Sequence, residues 1–223
     1  RDPRLRQLFG RYATYVGGMP AMSPGVLQLI WHAEASGVWR IEGGLHRLAE
    51  ALGGLAERLG VEMRMGTKAT RIEMQSGRVS AVHCAGLPRM VVEGVVFNGD
   101  PRALTEGLMG GSAKEAVPAH AVLPRSLSAR VWAFAARADG PDLVHHNIFF
   151  GRDPEAEFGP IRSDAPPADP TLYVCAQDRG VGTVPPAIER FEIIENAAPV
   201  DTELPEEKEE CRTRVFHRLT EFG

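Results

Sequence analysis

The chain has 223 residues, of which 43% are hydrophobic, and a formal net charge of −4. A hydrophobic fraction of this size is enough to form a buried core. The net charge is negative and no stretch is visibly rich in Lys and Arg, which excludes an electrostatic basis for nucleic-acid binding. The three widely spaced cysteines fit a reducing compartment better than a disulfide framework.

The first zone of the sequence, residues 1–39, is predicted to be largely helical. Trp31 and Trp39 are expected to belong to the core, with an apolar membrane-docking surface as the alternative. The other apolar residues of the zone include Leu5, Leu8, Phe9, Tyr12, Val16, Val26, Leu27, Leu29 and Ile30.

An amphipathic helix is predicted to follow the glycine pair Gly43-Gly44. Leucines at steps of three and four residues form one apolar stripe, Leu45, Leu48, Leu52, Leu55 and Leu59. Gly60 stands where a helix C-cap is expected. Two interpretations of the glycine pair stay open. It makes a tight turn, or it lets the backbone approach a ligand at a helix N-terminus, which favours phosphate or another electron-rich group.

Strand patterns follow the helix, in the order strand, hairpin and buried strand. The segments that predict them are residues 61–65, 69–74, 79–84 and 90–97. The sequence Asn98-Gly-Asp100-Pro then opens another helix. Residues 40–104 are therefore predicted to form one unit.

The last zone, residues 105–223, returns to mixed structure. Strand patterns occur within residues 126–137, 171–176 and 191–196, and a helix pattern within 211–219. His145 and His146 suggest a metal pair, but adjacent residues of a strand point to opposite faces. The remaining His and Cys residues lack zinc-like spacing. No metal site is predicted.

The order of these elements resembles the FAD-dependent amine-oxidase and phytoene-desaturase superfamily. Four segments narrow the resemblance to the bacterial carotenoid desaturases: Tyr15-Val-Gly-Gly-Met-Pro-Ala-Met-Ser-Pro-Gly, Gly37-Val-Trp-Arg-Ile-Glu-Gly-Gly, His145-His-Asn-Ile-Phe-Phe and Pro170-Thr-Leu-Tyr-Val-Cys-Ala-Gln-Asp-Arg. The resemblance runs across nearly the whole chain. Within the family, the chain is most similar to enzymes that desaturate 1-hydroxy or methoxy carotenoids at C3–C4.

The resemblance implies a two-domain α/β fold in which the glycine pair lies beside FAD and the following strand passes its adenine end. The FAD-binding residues that it implies are Gly43, Gly44, Ala69, Asn98 and Asp100. It places residues 1–39 and 105–223 in a substrate domain. An apolar tunnel for the polyene is then expected along residues 1–39 and the strands around 131–134 and 148–150.

The resemblance also implies a desaturation in which FAD accepts a hydride and a protein base accepts a proton. The base is not identified. Glu42, beside the glycine pair, is a candidate, with a plain N-terminal helix carboxylate as the alternative, and His46 is expected at the surface. The expected partners are a carotenoid substrate and, because no apolar run is long enough to span a bilayer, the surface of the inner or intracytoplasmic membrane on its cytoplasmic side. No oligomeric state is predicted.

Two parts of the family pattern are missing from the sequence. No Gly-x-Gly-x-x-Gly fingerprint follows a strand, and the C-terminal glycine-rich flavin segment is not found. The chain is therefore predicted to be the central part of a larger enzyme, inactive alone and unable to bind FAD tightly by itself. The alternatives are a related flavoprotein of the same fold, such as an amine oxidase or a carotenoid isomerase, and a non-catalytic binding fragment.

Overall fold

The computed structural model describes residues 2–180, 182, 184–199 and 208–222. It contains two compact units: Gly37–Pro124 forms one, and Arg1–Ser36 together with Arg125–Gly223 forms the other. Each unit combines helices with an antiparallel sheet, so the mixed α/β class is confirmed at that level. The division into 1–39, 40–104 and 105–223 stays a prediction.

Most of residues 3–35 are helical, as predicted. Helix α1 (Pro3–Gly10) begins where the Asp2 carboxylate accepts a hydrogen bond from the Arg4 N–H at 2.9 Å. A proline at the first helical position needs no backbone partner, which favours this start. Two 3-10 turns and a second helix follow: Arg11–Val16, Gly25–Gln28 and α2 (Leu29–Ala35).

Helix α3 (Leu45–Arg58) lies where the leucine stripe predicts it. At its end the Gly60 N–H donates to the Glu57 carbonyl at 2.9 Å and the Val61 N–H to the Ala56 carbonyl at 3.0 Å. These are the two bonds of a Schellman motif, which confirms Gly60 as the terminating glycine. The leucines of the stripe are all exposed: Leu45, Leu48, Leu52, Leu55 and Leu59. Within the described chain, the stripe is therefore not a core face.

A three-stranded antiparallel sheet follows α3, formed by β1 (Ala69–Gln75), β2 (Arg78–Cys84) and β3 (Met90–Val91). Ser76 and Gly77 have φ of 52° and 75°, as in the two-residue turns that match the twist of paired strands. The predicted hairpin is thus confirmed. Behind the sheet, Ile72 packs with Leu104 of α4 (Arg102–Thr105) in a small core.

One predicted strand of this unit is wrong and another is shorter than predicted. Residues 61–65 form no strand within the described chain, and of the run 90–97 only Met90–Val91 belongs to a strand, with one further backbone hydrogen bond from the Val92 N–H to the Ser80 carbonyl at 3.3 Å. Val96 is 96% exposed, whereas Phe97 at the end of the run packs against the small core around Ile72. An extended segment becomes a strand when a neighbour completes its hydrogen-bond ladder, and an apolar pattern alone does not supply that neighbour.

The other unit contains a second sheet. Its elements in chain order are β4 (Ser128–Ala136), β5 (His146–Phe149), α5 (Pro154–Arg162), β6 (Leu172–Ala176), β7 (Glu189–Ala197) and α6 (Lys208–Thr220). The strands are antiparallel in the order β4-β7-β6-β5. The strands and the helix predicted for this zone are confirmed.

Helix α6 covers one face of this sheet. Val215 of α6 packs among Leu172, Val174, Phe191 and Ile193, all of them buried. Burying side chains of this size stabilises the fold by roughly 1.5–3 kcal/mol each. Because successive side chains of a strand point to opposite sides, the alternate residues of the same strands form a second, more open face.

A buried carboxylate joins the N-terminal helices to the sheet. Glu157 of α5 is 1% exposed and accepts hydrogen bonds from Thr171 Oγ1 at 2.6 Å and Asn196 Nδ2 at 2.8 Å. The Arg11 guanidinium donates to it at 3.2 Å. A buried charge persists when it is paired and hydrogen-bonded, so this network fixes α5 and the segment around Arg11 against β7.

Candidate functional site

The glycine pair before α3 has a backbone conformation that requires glycine. Gly43 has φ of 79°, and Gly44 has φ of 90° with ψ of 171°, a region that is essentially restricted to glycine. The Gly44 N–H donates to the Ile41 carbonyl at 2.9 Å. A Cβ added at Gly44 would meet no described atom within 4 Å. The backbone at the helix start is therefore open to an approaching ligand.

The charges at this helix start favour an anion. Gly44 caps α3 without a side-chain hydrogen bond, and the first turn holds no acidic residue. Arg47 and His46 lie in that turn, where both pair with Glu50, at 2.9 and 3.4 Å. The partial positive charge of the helix N-terminus adds to the charge of Arg47.

The two titratable side chains considered at the start of α3, Glu42 and His46, are both exposed. Glu42 is exposed beside the glycine pair, and its role as a proton acceptor stays a prediction. His46 is exposed as well, as the sequence analysis expects.

The other residues expected to bind the cofactor lie in the same unit. Ala69 opens β1 opposite Cys84 of β2, and Asn98 is exposed. The Asp100 carboxylate accepts a hydrogen bond from the Arg102 N–H at 3.0 Å and so supports the start of α4. Their contact with a cofactor stays a prediction.

The open face of the four-stranded sheet carries an apolar row. Val131, Ile194, Tyr173 and Ile148, one from each strand, lie in register across β4, β7, β6 and β5. With strands about 4.8 Å apart, the row is about 14 Å long. Val131 and Ile148 are more than 40% exposed.

This row shows which residues of the predicted tunnel wall share one face, and the tunnel itself stays a prediction. Residues 131–134 and 148–150 cannot all line one surface, because their side chains alternate between the two faces of the sheet. Trp132, Phe134 and Phe149 pack with the core under α6.

A pair of tyrosines shares one carboxylate in the N-terminal segment. The Tyr12 hydroxyl donates to Glu34 Oε2 at 2.8 Å, and the Tyr15 hydroxyl donates to Oε1 at 2.7 Å. Burial first, and then the Glu34 carboxylate, raises the pKa of both tyrosines to about 12, so both stay protonated at neutral pH. Side chains about twenty residues apart carry no spacing signal, so this cluster is not predictable from the sequence.

The tryptophans expected in the core are exposed. Trp31 is 51% exposed and Trp39 is 81% exposed, although the Trp31 ring also contacts the edge of Phe9 with centroids 6.3 Å apart. Other exposed apolar residues before Ser36 are Met22, Val26 and Leu29. Within the described residues, no helix has the length and apolar character needed to cross a bilayer.

His145 and His146 do not diverge as the sequence analysis expects. Their ring centroids are 4.5 Å apart, because His145 lies just before β5 and only His146 belongs to the strand. The alternation rule that separates neighbouring side chains therefore does not govern this pair.

Comparison with known proteins gives the family. No family model matches the chain. The chain is 56% identical over 223 residues to a hydroxyneurosporene desaturase of Cereibacter sphaeroides, covering all of the chain and 45% of that protein. It is 50% identical to the hydroxyneurosporene desaturase of Rhodobacter capsulatus, again over the whole chain and 45% of the relative. The enzyme of the same name from Rubrivivax gelatinosus is 42% identical over 230 residues, with 100% of the chain and 43% of the relative covered.

By sequence, the chain belongs to the bacterial carotenoid desaturase family, as the resemblance predicts. It spans less than half the length of these curated relatives, so it corresponds to a partial segment of them.

Proposed function

We propose that the chain forms the central part of an FAD-dependent desaturase that dehydrogenates an acyclic carotenoid, a 1-hydroxy or methoxy carotenoid at C3–C4. The observation that carries the proposal is the 56% identity, over the entire chain, to a protein named hydroxyneurosporene desaturase. The two-domain fold of the superfamily is part of the proposal. The described units supply its helix-and-hairpin part and its sheet with an apolar face.

The glycine pair fits a bound FAD. The helix start is uncapped by side chains, bears Arg47, and has room where a Cβ would stand at Gly44. Backbone N–H groups in such a place bind electron-rich groups. When bound, FAD supplies the acceptor for the hydride that desaturation removes. In this proposal Gly43 and Gly44 shape the approach, and Glu42 is the candidate acceptor for the proton.

The open faces of the unit Gly37–Pro124 support its assembly with further protein. The leucine stripe of α3 and the extended residues 61–65 and 92–96 carry exposed apolar side chains, among them Leu45, Met65 and Val96. Surfaces of this kind are normally buried against a partner element. We assign them to the FAD-binding part of the full-length protein, which explains why residues 1–223 alone are expected to hold no FAD tightly.

The apolar row of the four-stranded sheet is proposed as one wall of the substrate site. A conjugated hydrocarbon chain offers dispersion contacts and almost no hydrogen-bonding groups, so an apolar lining without charges suits it. Val131, Ile194 and Ile148 provide aliphatic surface, and the Tyr173 ring adds a flat one. The row would exclude water from the reacting polyene.

The exposed apolar side chains before Ser36 are proposed to dock on the cytoplasmic surface of the inner or intracytoplasmic membrane, from which the carotenoid is drawn. Interfacial segments present tryptophan and aliphatic residues in this way. The double variant Leu29→Ser, Trp31→Ser should cosediment less with vesicles of bacterial lipid than the unaltered protein. Equal cosedimentation would remove this surface from the proposal.

The activity is tested with the full-length protein, FAD and an acyclic 1-hydroxycarotenoid. We expect a product lacking two hydrogen atoms by mass spectrometry, with absorption shifted to longer wavelength. The methoxy analogue and the unsubstituted carotenoid are the matched substrates, and turnover should favour the oxygenated ones. A spectral shift with unchanged mass would indicate an isomerase, and oxidation of amines with no carotenoid product would indicate an amine oxidase. Either result refutes the proposed desaturation.

A further inference from the structure

Three potential metal ligands meet at the edge of the four-stranded sheet. His146 of β5 lies opposite Cys175 of β6, and His145 precedes β5 directly. One ligand atom from each of these side chains lies within 4.8 Å of the other two. In a tetrahedral zinc site, bonds of 2.0–2.3 Å place ligand atoms about 3.3–3.6 Å apart. The pair His145 Nε2 and Cys175 Sγ, at 3.8 Å, is near that separation, and the limit of 4.8 Å for the three atoms is longer than a filled site allows.

His145 is held in the orientation that a ligand needs. Its Nδ1 lies 3.1 Å from the Ala176 carbonyl and 2.9 Å from the Arg179 carbonyl. Since both partners are acceptors, Nδ1 carries the proton and Nε2 carries the lone pair. That Nε2 atom is 3.8 Å from Cys175 Sγ. A backbone carbonyl that fixes the tautomer of a histidine is a common support of metal ligands.

His146 is oriented by a hydroxyl. Its Nδ1 lies 2.6 Å from the Tyr173 oxygen, and the two rings stack with centroids 5.9 Å apart. His146 is exposed whereas Cys175 is buried. Because the His146 ring is exposed, it can rotate and shorten the longest of the three separations between ligand atoms. The side of the site at His146 is open to solvent.

The surroundings favour a cation. Glu192 of β7 lies in register beside Cys175 and brings a negative charge. The Arg179 guanidinium, the nearby cation, is engaged by Glu189 at 2.6 and 2.9 Å.

We propose that His145, His146 and Cys175 bind a divalent transition-metal ion of the zinc type. The sulfur–metal bond forms as the Cys175 thiol gives its proton to solvent, and the two imidazoles bind through nitrogen lone pairs without loss of a proton. Three protein ligands leave a fourth position for water or an oxygen ligand. The site lies one row from Val131, Ile194, Tyr173 and Ile148 on the same face of the sheet, yet it requires neither FAD nor carotenoid.

The test uses Zn²⁺ and Co²⁺ with the purified protein, without substrate. We expect one equivalent of Zn²⁺ in equilibrium dialysis and, with Co²⁺, a near-ultraviolet thiolate-to-cobalt band. Cys175→Ser should abolish the band, and His146→Ala should weaken binding more than tenfold. Cys84→Ser, which removes a cysteine of the other unit, is the matched control and should keep both signals.

Circular dichroism establishes that the variants remain folded, and exposed His146 is the safest substitution in that respect. The proposal is overturned if micromolar Zn²⁺ does not bind the unaltered protein, if His146→Ala binds as tightly, or if the cobalt band depends on Cys84 instead. Binding without any desaturase activity would leave the site established and refute only the proposed function.

Discussion

Substituting Gly44 by alanine separates the two roles of the glycine pair, backbone conformation and access for FAD. Gly44 has φ of 90° and ψ of 171°, and holding an L residue there costs about 1–3 kcal/mol. A Cβ at this position would touch no described atom within 4 Å. Any loss of FAD beyond the effect of that strain therefore reports a ligand that comes close to the backbone.

Gly60→Ala is the matched control. Gly60 also has a positive φ, 86°, and a Cβ added there would likewise meet no described atom within 4 Å. It lies at the opposite end of α3, whose 14 residues span about 21 Å. Both variants should lose a similar amount of stability, of the order of 1–2 kcal/mol in urea titrations.

Only Gly44→Ala should then lose cofactor. We expect the flavin-to-protein ratio of the full-length protein, measured by absorbance after gel filtration, to indicate affinity at least tenfold weaker, about 1.4 kcal/mol. Gly44→Val should lower it further. Equal flavin content in the Gly44 and Gly60 variants would show that the glycine pair makes a turn and does not face FAD.

Two further predictions concern stability. Glu157→Gln should lower the free energy of unfolding by about 2–3 kcal/mol, because it removes a buried charge that three donors satisfy. Glu155→Gln, an exposed change on the same helix, should cost less than 1 kcal/mol, and equal losses in the two variants would contradict this reasoning. Hydrogen bonds from Arg89, then from His83, lower the pKa of Glu73 to about 2, from 4.5. The stabilisation is therefore complete above pH 4.5 and disappears as the pH falls to about 2. Acid titration of unfolding should show a larger loss in the unaltered protein than in Glu73→Gln, which keeps Asp178 and Glu189, whose pKa values are also lowered by their arginine partners.

The sequence predicts most of the helices, strands and turns that are specified by residues close together in the chain. Gly44 and Gly60 mark the two ends of α3 because glycine adopts a positive φ at little cost. In the hairpin, Gly77 supplies one of the two positive φ values that the turn needs. The strands of the second sheet are predictable because side chains along a strand point alternately to its two faces. Family membership also comes from the sequence, because it depends on residue identity and not on packing.

Tertiary structure decides which surfaces are covered and which distant side chains meet. The leucine stripe of α3 and the valines of the run 90–97 are apolar, yet whether these side chains are buried depends on a partner element that the pattern does not supply. The sequence likewise offers two faces for β4, and only the packing of α6 selects Phe134 for the core. His145 and Cys175 meet because β5 pairs with β6, thirty residues further along the chain. Contacts of that kind arise from the register between strands, which no local spacing of residues determines.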